Sequence, residues 1–374
     1  MDLFGADIAE EIEETEEEQD SAPAENIFAH PRAMNFISGH EETEKTLLDL
    51  YNSHRIPHAL VLTGPQGIGK ATMAYRFARF LLKQGLHDPN QSSMFGDPEP
   101  ATSLDVAPDD PVFRRLASAG HADFFNTEKK FDEEKGVYKD TVDVAEIRKI
   151  APFLRMTSSE GGWRIVIADD ADSMTNSAQN GILKILEEPP RNSVLILVAH
   201  RAGTLAPTIR SRARFINFPP LSDSVMKDLL SKHNPGLGQK DVETLLRFSG
   251  GSFGKAIQYA EANIAAMAGT LSEFLQNDIS WASVHKFADT LSGPGSNKSY
   301  DTFCEILGWM ARETARSRAR GTPPAPHTRD FLKNSSLEQL LEICENLEEH
   351  FGRSEAANLD RRQTVLGAFS LLAA

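Results

Sequence analysis

Three unbroken apolar runs stand out from the mixed background of the first 200 positions: Ala59–Thr63 (ALVLT), Arg164–Ala168 (RIVIA) and Ser193–Ala199 (SVLILVA). Each is short and continuous rather than alternating, which predicts strands buried on both faces. Between the runs, apolar positions recur every three or four residues. That spacing predicts helices over 42–51, from Lys70 through Leu82 (Met73, Phe77, Phe80 and Leu81 apolar), over 144–154 and over 178–188. The last is stopped by Pro189-Pro190, which can neither continue the bonding ladder nor clear the preceding turn. Strands alternating with helices predict an α/β domain, a parallel sheet with helices on both faces. Residues 85–120 are rich in Pro, Asp, Gly and Ser and read as a long irregular excursion. Beyond Pro219-Pro220 the strand pattern ends. Residues 221–262 read as a small helical unit containing Gly250-Gly251-Ser252. From about 265 the chain reads as all helix, strongly periodic at Leu337–Leu347 and Thr364–Leu372, with Gly321–Pro326 as a linker.

Composition narrows the class. A chain of 374 residues is long enough for two to three domains. No run approaches the ~20 apolar residues of a membrane span, so no membrane partner is expected. Two cysteines, Cys304 and Cys344, sit in no CxxC pair. That excludes a disulfide framework or a zinc site built from several cysteines, and a cytoplasmic location is expected. Of the net charge of −15, eleven carboxylates lie in residues 1–25, which hold no Lys or Arg. This tail reads as a disordered, self-repelling arm rather than a signal or transit peptide. Asp2-Leu3-Phe4 within it is a candidate anchor for a partner's pocket. The rest is only mildly acidic and carries no basic-aromatic stripe, so no nucleic-acid footprint of its own is expected.

The chemistry starts at Gly64-Pro65-Gln66-Gly67-Ile68-Gly69-Lys70, which fits GxxxxGK between a predicted strand and a predicted helix. Glycines let several N–H groups face one anion, the helix N-terminus adds positive potential, and Lys70 supplies an ammonium for β and γ phosphates. ATP or ADP is the expected ligand, held by residues 64–72. The next residue should carry a hydroxyl for Mg²⁺, but it is Ala71. Thr72 is rotated by about 100° from that direction. Arg164–Ala168 ends in Asp169-Asp170-Ala-Asp172, a strand end suited to Mg²⁺ at Asp169 and a water-polarising acid at Asp170. Asp170 is shorter than the usual Glu by a methylene, and a ~1 Å misplacement can cost on the order of 100-fold in rate.

Ser177-Ala-Gln-Asn-Gly-Ile-Leu-Lys-Ile-Leu-Glu-Glu-Pro-Pro190 closely resembles the SAxNALLKxLEEPP signature of bacterial clamp loaders, AAA+ P-loop ATPases. In this helix Ile182, Leu183 and Leu186 can face a core, leaving Asn180, Lys184, Glu187 and Glu188 near the surface. Arg55–Ala59, Val142-Asp143, Ile147-Arg148 and Thr208-Ile-Arg-Ser211-Arg212 also look like this family, over roughly residues 30–260, with a weaker echo at Asn358–Arg362. The resemblance implies an AAA+ domain (29–220) after the tail (1–28), then a small helical lid (221–264) and a helical oligomerisation collar (265–374). It implies partners: tau/gamma and delta subunits in a hetero-pentamer, and through them the sliding clamp and primer-template DNA. It implies that Arg212, next to Ser211, reaches into a neighbour's ATP site. Ala71, Asp170, Ala199-His200 and Gly254 depart from the ATP-hydrolysing motor type at four positions. They favour the ring-completing type with weak or absent ATPase; the motor type is the alternative. A small-metabolite kinase is disfavoured, since it needs neither the signature nor a helical C-terminal region. The family's four-cysteine zinc module is not expected: residues 85–125 contain no cysteine, and His87 and His121 read as surface histidines.

Overall fold

The computed structural model describes residues 30–86, 100–127, 131–132, 137–138, 142, 144–276, 280–293, 296–324, 328, 335–357 and 359–373. The tail with Asp2–Phe4, Asp143 and His87 lie outside them. In chain order the first part holds α1 (Glu41–Asn52), β1 (Ala59–Thr63), α2 (Lys70–Gln84), α3 (Pro111–Ala117), β2 (Phe124–Thr127), β3 (Phe131–Asp132), β4 (Val137–Tyr138), α4 (Val144–Arg155), β5 (Arg164–Ala168), α5 (Asn176–Glu187), β6 (Ser193–Ala199), α6 (Pro207–Arg210) and β7 (Arg214–Asn217). The second part is helical: α7 (Asp223–His233), α8 (Gln239–Ser249), α9 (Phe253–Glu261), α10 (Ile264–Gln276), α11 (Trp281–Ser292), α12 (Asn297–Arg320), α13 (Leu337–Ala356) and α14 (Arg361–Ala373).

Five strands form one parallel sheet in the order β2-β5-β6-β1-β7. β1, β5 and β6 are buried at every residue, as their unbroken apolar runs require. Alternate side chains serve opposite faces. Leu60, Leu62, Ile165, Ile167 and Ile196 pack with Leu47 of α1 and Met73 and Phe77 of α2. Val61, Val166, Ala168, Leu195 and Leu197 pack with Ile147 and Ile150 of α4 and Ile182, Ile185 and Leu186 of α5. Leu183 is only half-buried at the rim of that core.

Two strands of the sheet, β2 and β7, escape the apolar-run reading. They are four-residue edge strands, buried at two and one of their residues respectively, so neither shows a run. A two-stranded antiparallel ribbon, β3-β4, is also additional. The excursion is not wholly irregular. Within it α3 is started by Pro111 and capped by Asp110, whose carboxylate accepts the Val112 N–H at 2.8 Å.

The helical part closes on one continuous apolar core. It runs from Leu221, Met226 and Leu230 through Leu245, Ile257 and Leu271 to Phe303, Leu307, Phe369 and Leu372. Phe248 of α8 lies against Trp309 of α12, ring centroids 4.3 Å apart. Among the described residues no helix is long and apolar enough to cross a membrane.

Candidate functional site

Three chain segments leave the C-terminal ends of adjacent parallel strands, where open α/β sheets place their ligands. β1 runs into Gly64–Lys70, β5 into Asp169-Asp170, and β6 into His200. They meet at a cavity of about 450 Å³. Its polar wall includes residues 66–72, Asp169, Asp170 and His200. Its apolar wall includes Pro31, Met34, Phe36 and Phe253.

The loop's shape follows from its glycines. Gly64 (φ 146°), Gly67 (φ 75°) and Gly69 (φ 103°) all have positive φ. A Cβ on Gly64 would lie 2.3 Å from the carbonyl oxygen of Phe218. Five consecutive carbonyls of the loop are tied down, two by its own Lys70 and three from outside it. Lys70 Nζ donates to Gly64 O (2.7 Å) and Pro65 O (2.6 Å). Ser252 Oγ donates to Gln66 O (2.6 Å), Gly254 N to Gly67 O (2.8 Å) and His40 Nε2 to Ile68 O (2.7 Å). The two ends of a peptide unit point in opposite directions, so anchoring these carbonyls leaves the N–H side of the loop for an anion.

Lys70 is buried and folded back into its own loop rather than extended. Burial pulls its pKa down to about 8, against the opposing fields of Asp169, Asp172 and Asp170. It also meets His200 Nδ1 at 3.2 Å. Burial, and after it the Lys70 charge, lowers the His200 pKa, so the neutral ring accepts from the ammonium. His200 Nε2 faces Asp170 Oδ1 at 3.5 Å. Asp170 adopts left-handed backbone (φ 55°), a conformation Asp tolerates better than most residues. Asp172 is the third acid of the turn, but it is a strut. It accepts from the backbone N–H groups of His200 and Arg201 and from Thr204 Oγ1, and these hold its pKa low although burial opposes them. Asp170, Asp172 and His200 crowd one point, but with Asp172 so occupied the carboxylates facing the cavity are Asp169 and Asp170. Ala71 lines the same cavity and has no side-chain oxygen to offer.

α2 also fixes the apolar wall. Arg79, 1% exposed, donates to Arg32 O (2.9 Å) and Met34 O (2.6 Å) and stacks over Phe113 at 4.3 Å. Burial brings its pKa down to about 10. Arg76 donates to Asn35 O (2.7 Å) and pairs with Glu44 and Asp105. Two buried guanidinium groups thus pin the segment that carries Met34 and Phe36.

The signature lies elsewhere. Asn180, Lys184, Glu187 and Glu188 are exposed on the outer face of α5. Beside them, Ser211 and Arg212 are exposed after α6. Arg212 Nη2 pairs with Glu187 Oε1 at 3.2 Å, and Nη1 donates to Thr208 O and Ser211 Oγ, both at 3.2 Å. Arg212 is absent from the cavity lining. Gln179, which the residue pattern did not single out, links the two elements: its amide donates to Met174 O and Thr204 O, and its carbonyl accepts the Ala206 N–H. A polar residue on the buried face of an amphipathic helix was the available signal. His121 is a correction. It is buried (4% exposed), with Nδ1 accepting the Asp123 N–H, because it opens β2 beside the buried Asp123–Arg164 pair.

A family model described as "DNA polymerase III, delta subunit" matches residues 39–222. The chain is 31% identical over 195 residues to DNA polymerase III subunit delta' of Pseudomonas aeruginosa, covering 52% of this chain and 53% of that protein. It is 29% identical over 212 residues to the Escherichia coli subunit delta', covering 56% and 57%. To DNA polymerase III subunit gamma/tau of Mycobacterium tuberculosis it is 28% identical over 207 residues, covering 54% and 31%. The chain spans 53% and 57% of the length of the two delta' relatives. Residues 39–222, the part that resembles the DNA polymerase III delta-subunit family model, contain the phosphate loop, the acidic strand end and the Glu187–Arg212 surface.

Proposed function

We propose that the chain is the delta-prime subunit of a DNA polymerase III clamp loader. It works in the cytoplasm, completes a hetero-pentamer with tau/gamma and delta subunits, helps load the sliding clamp on primed DNA, and lends Arg212 to a neighbour's ATP. The observation that carries this reading is the position of Arg212: exposed on the signature surface, paired with Glu187, and outside the chain's own cavity. On this reading residues 29–220 are the AAA+ unit, 221–264 the lid and 265–374 the collar. The chain's own cavity takes ATP or ADP. Mg²⁺ bound with nucleotide would be held by Asp169 and would neutralise phosphate charge, with Asp170 beside it as the water-polarising acid; the Ala71 side chain offers the ion nothing. Without that hydroxyl, and with Asp170 short and tied toward His200, intrinsic hydrolysis is slow.

The retained Lys70 and Asp169 favour a second reading, a tau/gamma-type motor. The purified chain with ATP and primed DNA separates the two. No steady turnover is expected from the isolated chain, and turnover is expected once its partners are added. Multiple turnover by the chain alone would favour the motor.

Lys70 gives the nucleotide reading a pH signature. Phosphate binding favours the charged ammonium, whose pKa in the free site is about 8. Affinity should therefore be flat below pH 8 and fall above it, by at most about tenfold per unit. Equilibrium titration of an adenine nucleotide from pH 7 to 9.5 measures this, and an affinity constant across that range would count against Lys70 as the phosphate ligand.

A further inference from the structure

Two of the five anchored loop carbonyls are held by α9, far along the chain from the loop. Ser252 is 1% exposed, and its hydroxyl works in both directions: it accepts the Lys255 N–H to cap α9 and donates to Gln66 O. Next to it the two backbones touch. A Cβ on Gly254 would lie 2.9 Å from Gly67 Cα, and one on Gly67 would lie 2.7 Å from Ser252 Oγ. The free N–H of Gly254 at this helix start is spent on Gly67 O. α9 is in turn fastened to α12. Glu305 accepts from the buried Tyr259 hydroxyl and pairs with Lys255 at 3.4 Å. The first two turns of α9 therefore join the phosphate loop on one side to α12, the longest of the described helices, on the other.

We propose that Ser252 is a positioning residue of the phosphate loop, carried on a lid that Glu305 anchors to α12, so that the C-terminal helices set how fast nucleotide leaves the cavity. This rests on the reading of the cavity as a nucleotide site. Release requires α9 to part from Gln66 and Gly67, and α9 cannot part from them freely while Glu305 holds it. Whatever shifts α12, including packing against another subunit, then changes the exchange rate without touching the nucleotide.

The test uses the full chain as wild type, Ser252→Ala, Ser252→Thr and Glu305→Ala. Amide hydrogen exchange of peptides covering 64–72 is measured without nucleotide, and the dissociation rate of fluorescent mant-ATP is measured with Mg²⁺. Losing one buried hydrogen bond to the loop should raise both in Ser252→Ala, the off-rate by about tenfold. Ser252→Thr, which keeps cap and donor, should stay near wild type. Glu305→Ala should also raise exchange at 64–72, a segment it does not contact, and a merely local role for Glu305 would leave those amides unmoved. Unchanged loop exchange in Glu305→Ala overturns the link to α12, and unchanged exchange in Ser252→Ala overturns the whole proposal. If wild type retains no mant-ATP, the nucleotide reading and the release-rate part fall, while the exchange data still decide the fastening.

Discussion

Replacing Arg212 with alanine in the proposed clamp-loader complex is expected to slow hydrolysis at the neighbouring ATP site, to which we assign this arginine, by on the order of 10³-fold, while the complex still assembles. A guanidinium is suited to charge spread over a transferring phosphoryl group, and no other side chain presents the same planar set of donors. Assembly should survive because Arg212 is exposed and, among the described residues, its side chain bonds only to Glu187, Thr208 and Ser211. The pair with Glu187 is exposed, so losing it costs the fold at most about 1 kcal/mol. Arg212→Lys should recover little, since a single ammonium cannot reproduce the fork. Single-turnover hydrolysis in the reconstituted complex reads the effect directly; total turnover dilutes it with the other sites. An unchanged single-turnover rate would remove Arg212 from catalysis.

Arg79→Ala is expected to give the largest loss of stability, about 3 kcal/mol. It leaves the carbonyls of Arg32 and Met34 without their donors and opens a void beside Phe113. The damage should extend to ligand binding, because the released segment carries Met34 and Phe36 of the cavity wall. Denaturant unfolding of the sheet domain and nucleotide titration measure the two consequences. A change within about 0.5 kcal/mol would mean that water replaces the guanidinium at no cost. Arg79→Lys should fall between, since one ammonium reaches the two carbonyls less well than a fork.

The doubly buried strands were legible because a strand covered on both faces has no polar positions to interrupt it. β2 (FFNT) and β7 (RFIN) were not, since an edge strand needs only one or two buried side chains and pairs through its backbone. α3 was hidden within a stretch dominated by turn formers, although Asp110-Pro111 is a helix start in its own right. In the site, the loop and the acidic strand end were readable because their residues are contiguous. Contacts across long separations were not. Ser252 reads locally as a helix cap, and nothing near it points to Gln66, 186 positions away. Asp172 reads as one more acid in a turn; only the fold brings His200 and Thr204 to it. His121 looked like a surface residue because its neighbours in sequence are small, whereas the fold buries it beside the Asp123–Arg164 pair.

The undivided core from Leu221 to Leu372 bears on the order of events during synthesis. Chains fold as units, the N-terminal ones first. The sheet can fill both of its faces once about 220 residues have emerged, because all its strands and the helices that cover them lie before that point. α7 to α9 have no such interior to complete: Met226, Leu230 and Ile257 share theirs with Phe303 and Phe369. The carbonyls of Gln66 and Gly67 should therefore stay solvated until α14 has been made. On this order of events the α9 side of the cavity is the last of its walls to close, after the sheet that carries the other walls is already folded.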